Sequence, residues 1–260
     1  IADGSAMMGL RPVIEVMFMD FITLMMDALC NHAAKIHYMF NGQYRVPLVV
    51  RAPMGAGRGY GPSHSQSLSS WFAHVPGIKV VAPADVGDAY GLLRAAIDDP
   101  NPVLFLEHKL LYGLASDLPI RSHQRVPLGR ARIAREGRDL SIISFAYGVR
   151  TALAVAEDLA RRGIEAEVVD LRCVRPLDAA TVVASCRKTK RAVVLTEEYP
   201  FCSVASEIAA LVQEQCWGHL LGPVLRVSGE DTPIPCATSM EAAWLPSEAR
   251  LTRAVEMLLA

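Results

Sequence analysis

Short apolar runs alternate with amphipathic segments along most of this chain. Residues 46–51 (VPLVVR), 103–106 (VLFL) and 140–145 (LSIISF) are almost continuously apolar, which is typical of strands buried on both faces of a parallel sheet. Residues 85–97 and 149–162 space their apolar side chains along one face of a helix. Because the strand and helix patterns alternate, the sequence predicts an α/β fold with parallel or mixed sheets and right-handed crossovers.

A mostly polar stretch at residues 114–126 separates two sets of alternating elements. The sequence therefore predicts two α/β domains, residues 1–113 and 127–260, joined by a linker. A chain of 260 residues suits two domains of this size. Such sheets bind ligands beyond the carboxyl ends of their strands, so residues 53–66 are expected at the binding edge of the first domain.

The composition argues against several classes of protein. The 26 Lys and Arg residues are balanced by 27 Asp and Glu residues without an extended basic block, so we expect no nucleic-acid partner. The longest uncharged apolar stretch is shorter than the roughly 20 residues of a spanning helix, so we expect no membrane span. The six cysteines form no CxxC pair, and such scattered thiols favour a reducing, intracellular compartment.

A glycine-rich segment at residues 55–61 follows a predicted strand and leads to His64. It does not match G-x-G-x-x-G, so we reject a dinucleotide-binding fingerprint, and a surface loop is the alternative interpretation. Ser63, Ser65 and Gln66 flank His64 and can fix its tautomer. A histidine at the end of a strand can transfer protons near neutral pH, although an ordinary surface histidine is the other interpretation.

Further segments permit more than one interpretation. Residues 20–34 predict a helix, with Asp20 as a candidate N-cap. The pair at residues 107–108 (EH) is interpreted as a strand end with local charge. The turn at residues 97–102 (IDDPNP) is either a simple Pro/Asn/Asp turn or an oxygen cage for a cation. Neither G-x-S-x-G nor H-E-x-x-H occurs, which argues against a serine hydrolase and a zinc protease.

Several ordered segments together resemble the beta subunit of thiamine-diphosphate-dependent 2-oxoacid dehydrogenases, the decarboxylating component of those complexes. They are residues 9–13 (GLRPV), 61–67 (GPSHSQS), 72–81 (FAHVPGIKVV), 101–113 (NPVLFLEHKLLYG), 169–172 (VDLR), 175–178 (RPLD) and 223–227 (PVLRV). The resemblance covers essentially the whole chain. It implies a transketolase-like pyrimidine-binding domain followed by a transketolase C-terminal domain.

The resemblance also implies an α2β2 heterotetramer with thiamine diphosphate between the subunits. The alpha subunit and its Mg²⁺ would hold the diphosphate, and this chain would hold the aminopyrimidine. His64 matches the active-site histidine of the family, and Phe21 matches the aromatic residue beside the aminopyrimidine. The structural potassium (K⁺) site of several members matches Leu48, Ala96, Ile97, Asp99 and Asn101.

The activity implied by the resemblance is oxidative decarboxylation of a 2-oxoacid, with acyl transfer to the lipoyl-lysine of a dihydrolipoyl acyltransferase. Residues 107–112 (EHKLLY) favour the pyruvate or acetoin type over the branched-chain type. The compartment would be the bacterial cytoplasm or the mitochondrial matrix. The cofactor-activating glutamate of the family is not matched by Glu15 and is expected upstream of Ile1. A truncated, non-catalytic dimerisation or binding subunit is therefore the alternative.

Overall fold

The structure, a computed structural model, describes residues 1–117 and 124–260. Its first half contains, in chain order, α1 (Ala2–Met7), β1 (Val13–Glu15), a 3-10 helix (Met19–Met25), a π-helix (Asp27–Ala33), α2 (Ala34–Met39), β2 (Val49–Met54), α3 (Ser69–Ala73), β3 (Lys79–Val81), α4 (Val86–Asp98), β4 (Val103–His108) and a second 3-10 helix (Lys109–Leu111). The second half contains β5 (Arg132–Arg135), β6 (Leu140–Ser144), α5 (Tyr147–Arg161), β7 (Ala166–Asp170), β8 (Cys173–Arg175), α6 (Ala179–Thr189), β9 (Ala192–Leu195), α7 (Val204–Cys216), β10 (Leu225–Val227), α8 (Thr238–Trp244) and α9 (Glu248–Leu259).

Within the described residues, the strands form two five-stranded mixed sheets. The first has the order β1-β2-β4-β3-β8 and the second has the order β10-β9-β6-β7-β5. In each sheet four strands run parallel, while β8 and β5 are antiparallel edge strands. The predicted α/β class is confirmed. The two antiparallel strands were not predicted, because both are short and β5 mixes charged with apolar residues.

Strand β8 connects the two halves of the molecule. It follows β7 of the second sheet but pairs with β3 of the first, where Val80 lies opposite Arg175. One apolar cluster accordingly contains Leu104 of the first half and Val194 of the second half. The two sheets therefore share a core rather than forming independent units.

The predicted helix at residues 20–34 is a succession of a 3-10 helix and a π-helix that leads into α2. These irregular turns rotate the buried face, so that Met19, Ile22 and Leu29 are fully buried while Leu24 is exposed. The expectation that Asp20 caps this helix is wrong, because its carboxylate accepts hydrogen bonds from a distant loop instead.

Most of the longer helices begin at a side chain that caps their first turn. Asp85 accepts a hydrogen bond from the amide of Asp88 at 2.8 Å, and Ser203 accepts one from Ser206 at 3.2 Å. Such caps satisfy amides that have no partner inside the helix. They fix α4 and α7 relative to the strand ends that precede them.

The predicted linker, residues 114–126, falls partly on residues 118–123, which lie outside the described residues. In its described part, Val126 is buried and its amide donates to the carbonyl of Gly91 on α4. Within residues 1–117 and 124–260, no helix combines the length and the apolar character that crossing a bilayer requires.

Candidate active site

His64 lies in an aromatic cluster at the end of the glycine-rich loop. Its ring centroid is 4.8 Å from that of Phe18 and 5.1 Å from that of Phe21, both in edge-to-face geometry. Tyr60 meets Phe18 at 5.9 Å. Phe21 is 39% exposed, so the cluster opens towards the surface. The structure thus brings together the two residues predicted to be catalytic and cofactor-binding, and their rings offer a wall for a planar group.

The polar contacts of His64 differ from the predicted ones. Ser63 Oγ lies 3.0 Å from Nδ1 of the ring. The hydroxyl of Ser65 is buried without a hydrogen-bond partner among the described residues, and the side-chain amide of Gln66 is bonded elsewhere. The expectation that all three neighbours orient the ring is therefore wrong for Ser65 and Gln66, because the side-chain amide of Gln66 donates to Asp20 and the hydroxyl of Ser65 makes no hydrogen bond to the ring.

Lys109 holds the main chain of His64 from the opposite side. Its Nζ donates a hydrogen bond to the carbonyl oxygen of His64 and lies 5.0 Å from the ring centroid of Phe18 and 5.1 Å from that of Tyr60. The residue is 5% exposed, and desolvation lowers its pKa although the charge of Asp20 acts in the opposite direction. A buried ammonium group is thus part of the site.

Asp20 connects the 3-10 helix to the loop that carries His64. Its Oδ1 accepts hydrogen bonds from the backbone N–H of Gln66 at 3.2 Å and from Nε2 of Gln66 at 2.9 Å. Its Oδ2 is buried and has no hydrogen-bond partner among the described residues. A buried carboxylate oxygen without a donor is costly, so this atom has unused capacity to accept a hydrogen bond.

The amides of the glycine-rich loop point at carboxylates of the second half of the chain. The amide of Ala56 donates to Glu197 Oε1 at 2.6 Å, and those of Gly57 and Gly59 donate to the two oxygens of Glu241 at 2.9 and 2.8 Å. These donors are therefore not free to cradle a phosphate group. The geometry agrees with the absence of a dinucleotide fingerprint and leaves a diphosphate to be held elsewhere.

His108, interpreted from the sequence as part of a charged strand end, is a buried bridge between the two halves. Its Nδ1 accepts the amide hydrogen of Leu110 at 3.3 Å, so Nε2 carries the proton and donates to Glu197 Oε2 at 2.8 Å. The ring stacks on Tyr147 with centroids 5.1 Å apart. His108 is the last residue of β4, so the interpretation as a strand end is confirmed. Its role as a bridge was not predicted, because its partners come from distant parts of the sequence.

The residues matched to a potassium site lie around the end of α4 and the start of β2 and β4: Leu48, Ala96, Ile97, Asp99 and Asn101. Two cationic side chains already meet their oxygens. Nη1 of Arg11 donates to the carbonyls of Ile97 at 2.6 Å and Asp99 at 3.3 Å. The carboxylate of Asp99 accepts from Lys79 Nζ and from the backbone N–H of Asn101. Protein donors therefore bond to several of the oxygens of this turn, and cation binding there stays a prediction.

Sequence reasoning missed several residues of the site: Phe18, Tyr60, Lys109, Glu197 and Glu241. The positions of Lys109 and Glu197 contain a usable signal. Both follow the carboxyl end of a predicted parallel strand, where ligand sites of such sheets form. Glu241 has no comparable signal, because it lies on a short helix far along the chain.

The chain matches two protein-family models. One, described as the transketolase pyrimidine binding domain, covers residues 1–114, and the other, described as the transketolase C-terminal domain, covers residues 129–251. A solved structure titled split gene transketolase, inactive beta4 tetramer, superposes with a TM-score of 0.80 at 21% identity, over 99% of this chain and 79% of that chain. That likeness confirms the fold.

Three curated relatives show the family. The pyruvate dehydrogenase E1 component subunit beta of Rhizobium meliloti is 44% identical over 97% of this chain, and the chain spans 55% of its length. The mitochondrial pyruvate dehydrogenase E1 component subunit beta of Ascaris suum is 45% identical over 98% of this chain and 72% of its own length. The acetoin:2,6-dichlorophenolindophenol oxidoreductase subunit beta of Cupriavidus necator is 44% identical over 97% of this chain and 75% of its own length. The resemblance found in the sequence is confirmed: the chain belongs to the family of E1-component beta subunits of 2-oxoacid dehydrogenases.

Proposed function

We propose that this chain is the beta subunit of a thiamine-diphosphate-dependent 2-oxoacid dehydrogenase of the pyruvate type. It would take part in oxidative decarboxylation and in transfer of the acyl group to lipoyl-lysine. The observation that carries the proposal is the contact of His64 with the partly exposed ring of Phe21, with the buried ammonium group of Lys109 bonded to the carbonyl of His64. The two relatives named as pyruvate dehydrogenase subunits support the choice of substrate class.

The residues of the aromatic cluster fit the aminopyrimidine half of the cofactor. Phe21 offers a partly exposed ring. The buried Oδ2 of Asp20 has no hydrogen-bond donor among the described residues, so it can accept a hydrogen bond from a ligand. When bound, thiamine diphosphate supplies a nucleophilic carbon and an electron sink. In the proposed reaction Phe21 orients the planar ring, and His64 moves a proton at its ring nitrogen during acyl transfer. Lys109 holds the backbone of His64 in place.

The diphosphate and Mg²⁺ would be held by an alpha subunit in an α2β2 heterotetramer. One feature supports this division. The amides of the glycine-rich loop are bonded to Glu197 and Glu241, so they are not free to bind a diphosphate. A dihydrolipoyl acyltransferase would accept the acyl group. The proposed compartment is the bacterial cytoplasm or the mitochondrial matrix, in line with the bacterial and mitochondrial relatives.

We propose that potassium binds at Leu48, Ala96, Ile97, Asp99 and Asn101 only when Arg11 has moved away from this turn. Arg11 donates to the carbonyls of Ile97 and Asp99, so a cationic side chain of the protein already binds these oxygens. A potassium ion would require that the exposed guanidinium of Arg11 swing away. We therefore propose that Arg11 competes with potassium for this turn.

Two alternatives have specific support. The acetoin-type relative is as similar to this chain as the pyruvate-type ones, so acetoin is the second candidate substrate. A non-catalytic dimerisation or binding subunit is the other candidate. Glu15 bonds to Arg51 at 3.0 Å on an edge strand and is not part of the aromatic cluster, so it does not replace the cofactor-activating glutamate.

The first test is calorimetric titration of thiamine diphosphate and Mg²⁺ into this chain mixed with its candidate alpha subunit. We expect saturable binding that requires both chains and that Phe21→Ala weakens. The His64→Ala variant should bind the cofactor normally but acylate lipoyl-lysine about 10²- to 10⁴-fold more slowly. Turnover of acetoin but not pyruvate would favour the second substrate. Absence of binding by the mixed chains would favour the non-catalytic alternative.

A further inference from the structure

The glycine-rich loop is held by a carboxylate that reaches it from the far end of the chain. Glu241 lies on α8, is 2% exposed, and accepts hydrogen bonds from the amides of Gly57 and Gly59 on separate oxygens. Both glycines have positive φ, +93° and +68°, which turns neighbouring N–H groups towards one point. Such a concave arrangement of amides binds anions, and Glu241 is the anion that occupies it.

The loop has little freedom to adopt another course once Glu241 is in place. A Cβ atom at Gly57 would lie 2.8 Å from a methyl carbon of Leu110, and one at Gly55 would collide with the ring of His108. The amide of Ala56 is fixed as well, by Glu197. The loop is therefore packed closely on the end of β4 and the residue Leu110 after it, and its position depends on the carboxylates that hold its amides.

Hydrogen bonds lead from this loop to His64. Nη2 of Arg58 donates to the carbonyl of Lys109 at 2.9 Å, and Lys109 in turn donates through Nζ to the carbonyl of His64. Tyr60, on the same loop, lies under that ammonium group. A shift of the loop at Gly57 and Gly59 would therefore move both Lys109 and an aromatic ring of the site.

Helix α8 does not depend on Glu241 for its own position. Trp244 on the same helix is 3% exposed, meets Tyr199 with ring centroids 5.8 Å apart, and donates through Nε1 to the carbonyl of Thr232 at 2.9 Å. These contacts fix the helix on the second half of the chain. Removal of the carboxylate should therefore release the loop and leave the helix in place.

We propose that Glu241 is a positioning residue for the site, which fixes the 55–61 loop and through it the backbone of His64. The second half of the chain thereby sets the geometry of a site that lies on the first half. Only one measurement of the proposal, the rate of lipoyl acylation, rests on the proposed function. The other, the protection of the loop amides from hydrogen exchange, is independent of any activity.

The test compares Glu241→Ala and Glu241→Gln with the wild type in the reconstituted assembly. Hydrogen exchange of the peptide covering residues 55–64 should accelerate in Glu241→Ala, and lipoyl acylation should slow by about tenfold to a hundredfold, the scale of a misplaced catalytic group. Added formate should enter the emptied anion site and restore both. Glu241→Gln keeps one accepting oxygen, so its exchange and rate should lie between those of the wild type and the alanine variant.

The matched control is Glu256→Ala, which removes an exposed carboxylate paired with Arg162 on the surface. It should change neither readout. The proposal is overturned if hydrogen exchange of the 55–64 peptide is the same in Glu241→Ala and in the wild type. It is also overturned if the folded variant acylates lipoyl-lysine slowly and added formate does not restore the rate. If the wild-type assembly fails to acylate lipoyl-lysine, the proposed function fails. The exchange and formate measurements still decide the role of Glu241.

Discussion

Lys109 combines a charge, a hydrogen bond and two aromatic contacts beside His64. Burial lowers the pKa of Lys109, so the folded protein gains little from keeping this ammonium ionised. We expect Lys109→Met, which nearly keeps the length of the side chain, to lower the free energy of unfolding by about 1 kcal/mol, the scale of one lost hydrogen bond. The carbonyl of His64 loses its donor, and acylation of lipoyl-lysine should fall about tenfold.

The comparison for this prediction is Lys35→Met. Lys35 Nζ also donates to a backbone carbonyl, that of Pro76 at 2.6 Å, but it lies outside the aromatic cluster. Urea unfolding and steady-state acylation rates of the two variants separate a local loss of hydrogen bonding from an effect on the site. Equal rates in the two variants would contradict the assigned role of Lys109.

Arg11 provides a second residue-level prediction, on the potassium turn. Its guanidinium donates to two carbonyl oxygens from an exposed position, so Arg11→Met should lower the free energy of unfolding by about 1 kcal/mol. The carbonyl oxygens of Ile97 and Asp99 would then be free to bind potassium, so the variant should be more stable in KCl than in choline chloride. Thermal unfolding in the two salts measures this dependence. A wild type that responds to potassium as strongly as the variant would show that Arg11 does not compete.

At this scale the sequence was most informative where a residue lies on a recognisable motif. His64 and Phe21 were identified from segments that resemble a family, and the structure brings their rings into contact. Glu197 follows a predicted strand, but neither it nor Glu241 could be assigned to the glycine-rich loop, which lies more than a hundred residues away in the sequence. Local patterns carry no information about such partners, which only the packing of the two halves brings together.

Glu198 connects two helices from different halves of the chain. Its buried carboxyl accepts hydrogen bonds from Ser69 Oγ at 2.5 Å and the amide of Ser70 at 3.0 Å at the start of α3, and from the amide of Val204 at 2.9 Å at the start of α7. Burial raises the pKa of Glu198 to about 7, and these hydrogen bonds act in the opposite direction. Proton binding by this one group should therefore be coupled to folding.

The sign of the coupling follows from the two pKa values. The folded chain keeps the proton up to about pH 7, whereas the unfolded chain releases it near the ordinary value of 4.5. The contribution of Glu198 to stability is thus complete below pH 4.5 and is lost as the pH rises through 7. At 1.36 kcal/mol per pKa unit the loss is at most about 3 kcal/mol.

Glu198→Gln should remove this pH dependence, because the amide does not titrate. Urea unfolding at pH 5 and pH 8 should give a smaller difference in free energy for the variant than for the wild type. Asp170, whose pKa burial raises to about 6, contributes to both proteins and cancels in the comparison. Glu207→Gln, an exposed substitution on the same helix α7, serves as the control. Parallel pH profiles of Glu198→Gln and the wild type would refute the coupling.

At the scale of elements, periodicity predicted the long helices and central strands within a few residues. It failed for residues 19–33, where the backbone follows 3-10 and π turns that bury Met19 and Ile22 instead of an α-helical face. It also missed β8 (Cys173–Arg175). Its pairing with β3 depends on the docking of the two halves, which no local pattern encodes.

Many of the large apolar side chains that the molecule exposes lie within its first 40 residues. The large ones within residues 1–40 include Met8, Leu10, Met17, Leu24, Tyr38 and Met39. Large exposed apolar areas usually mark surfaces that bind other chains. We therefore expect that another chain covers this surface.

We therefore expect the isolated chain to self-associate and the alpha subunit to replace that contact. Leu24, 89% exposed, is the test position, because a charge there opposes burial in either assembly. Leu24→Lys should shift the isolated chain towards the monomer and weaken co-elution with the alpha subunit in size-exclusion chromatography with light scattering. Met257→Lys on α9, also exposed, should leave both unchanged. If Leu24→Lys assembles like the wild type, the apolar surface around Leu24 is not the contact, and the covered face must be sought elsewhere on the molecule.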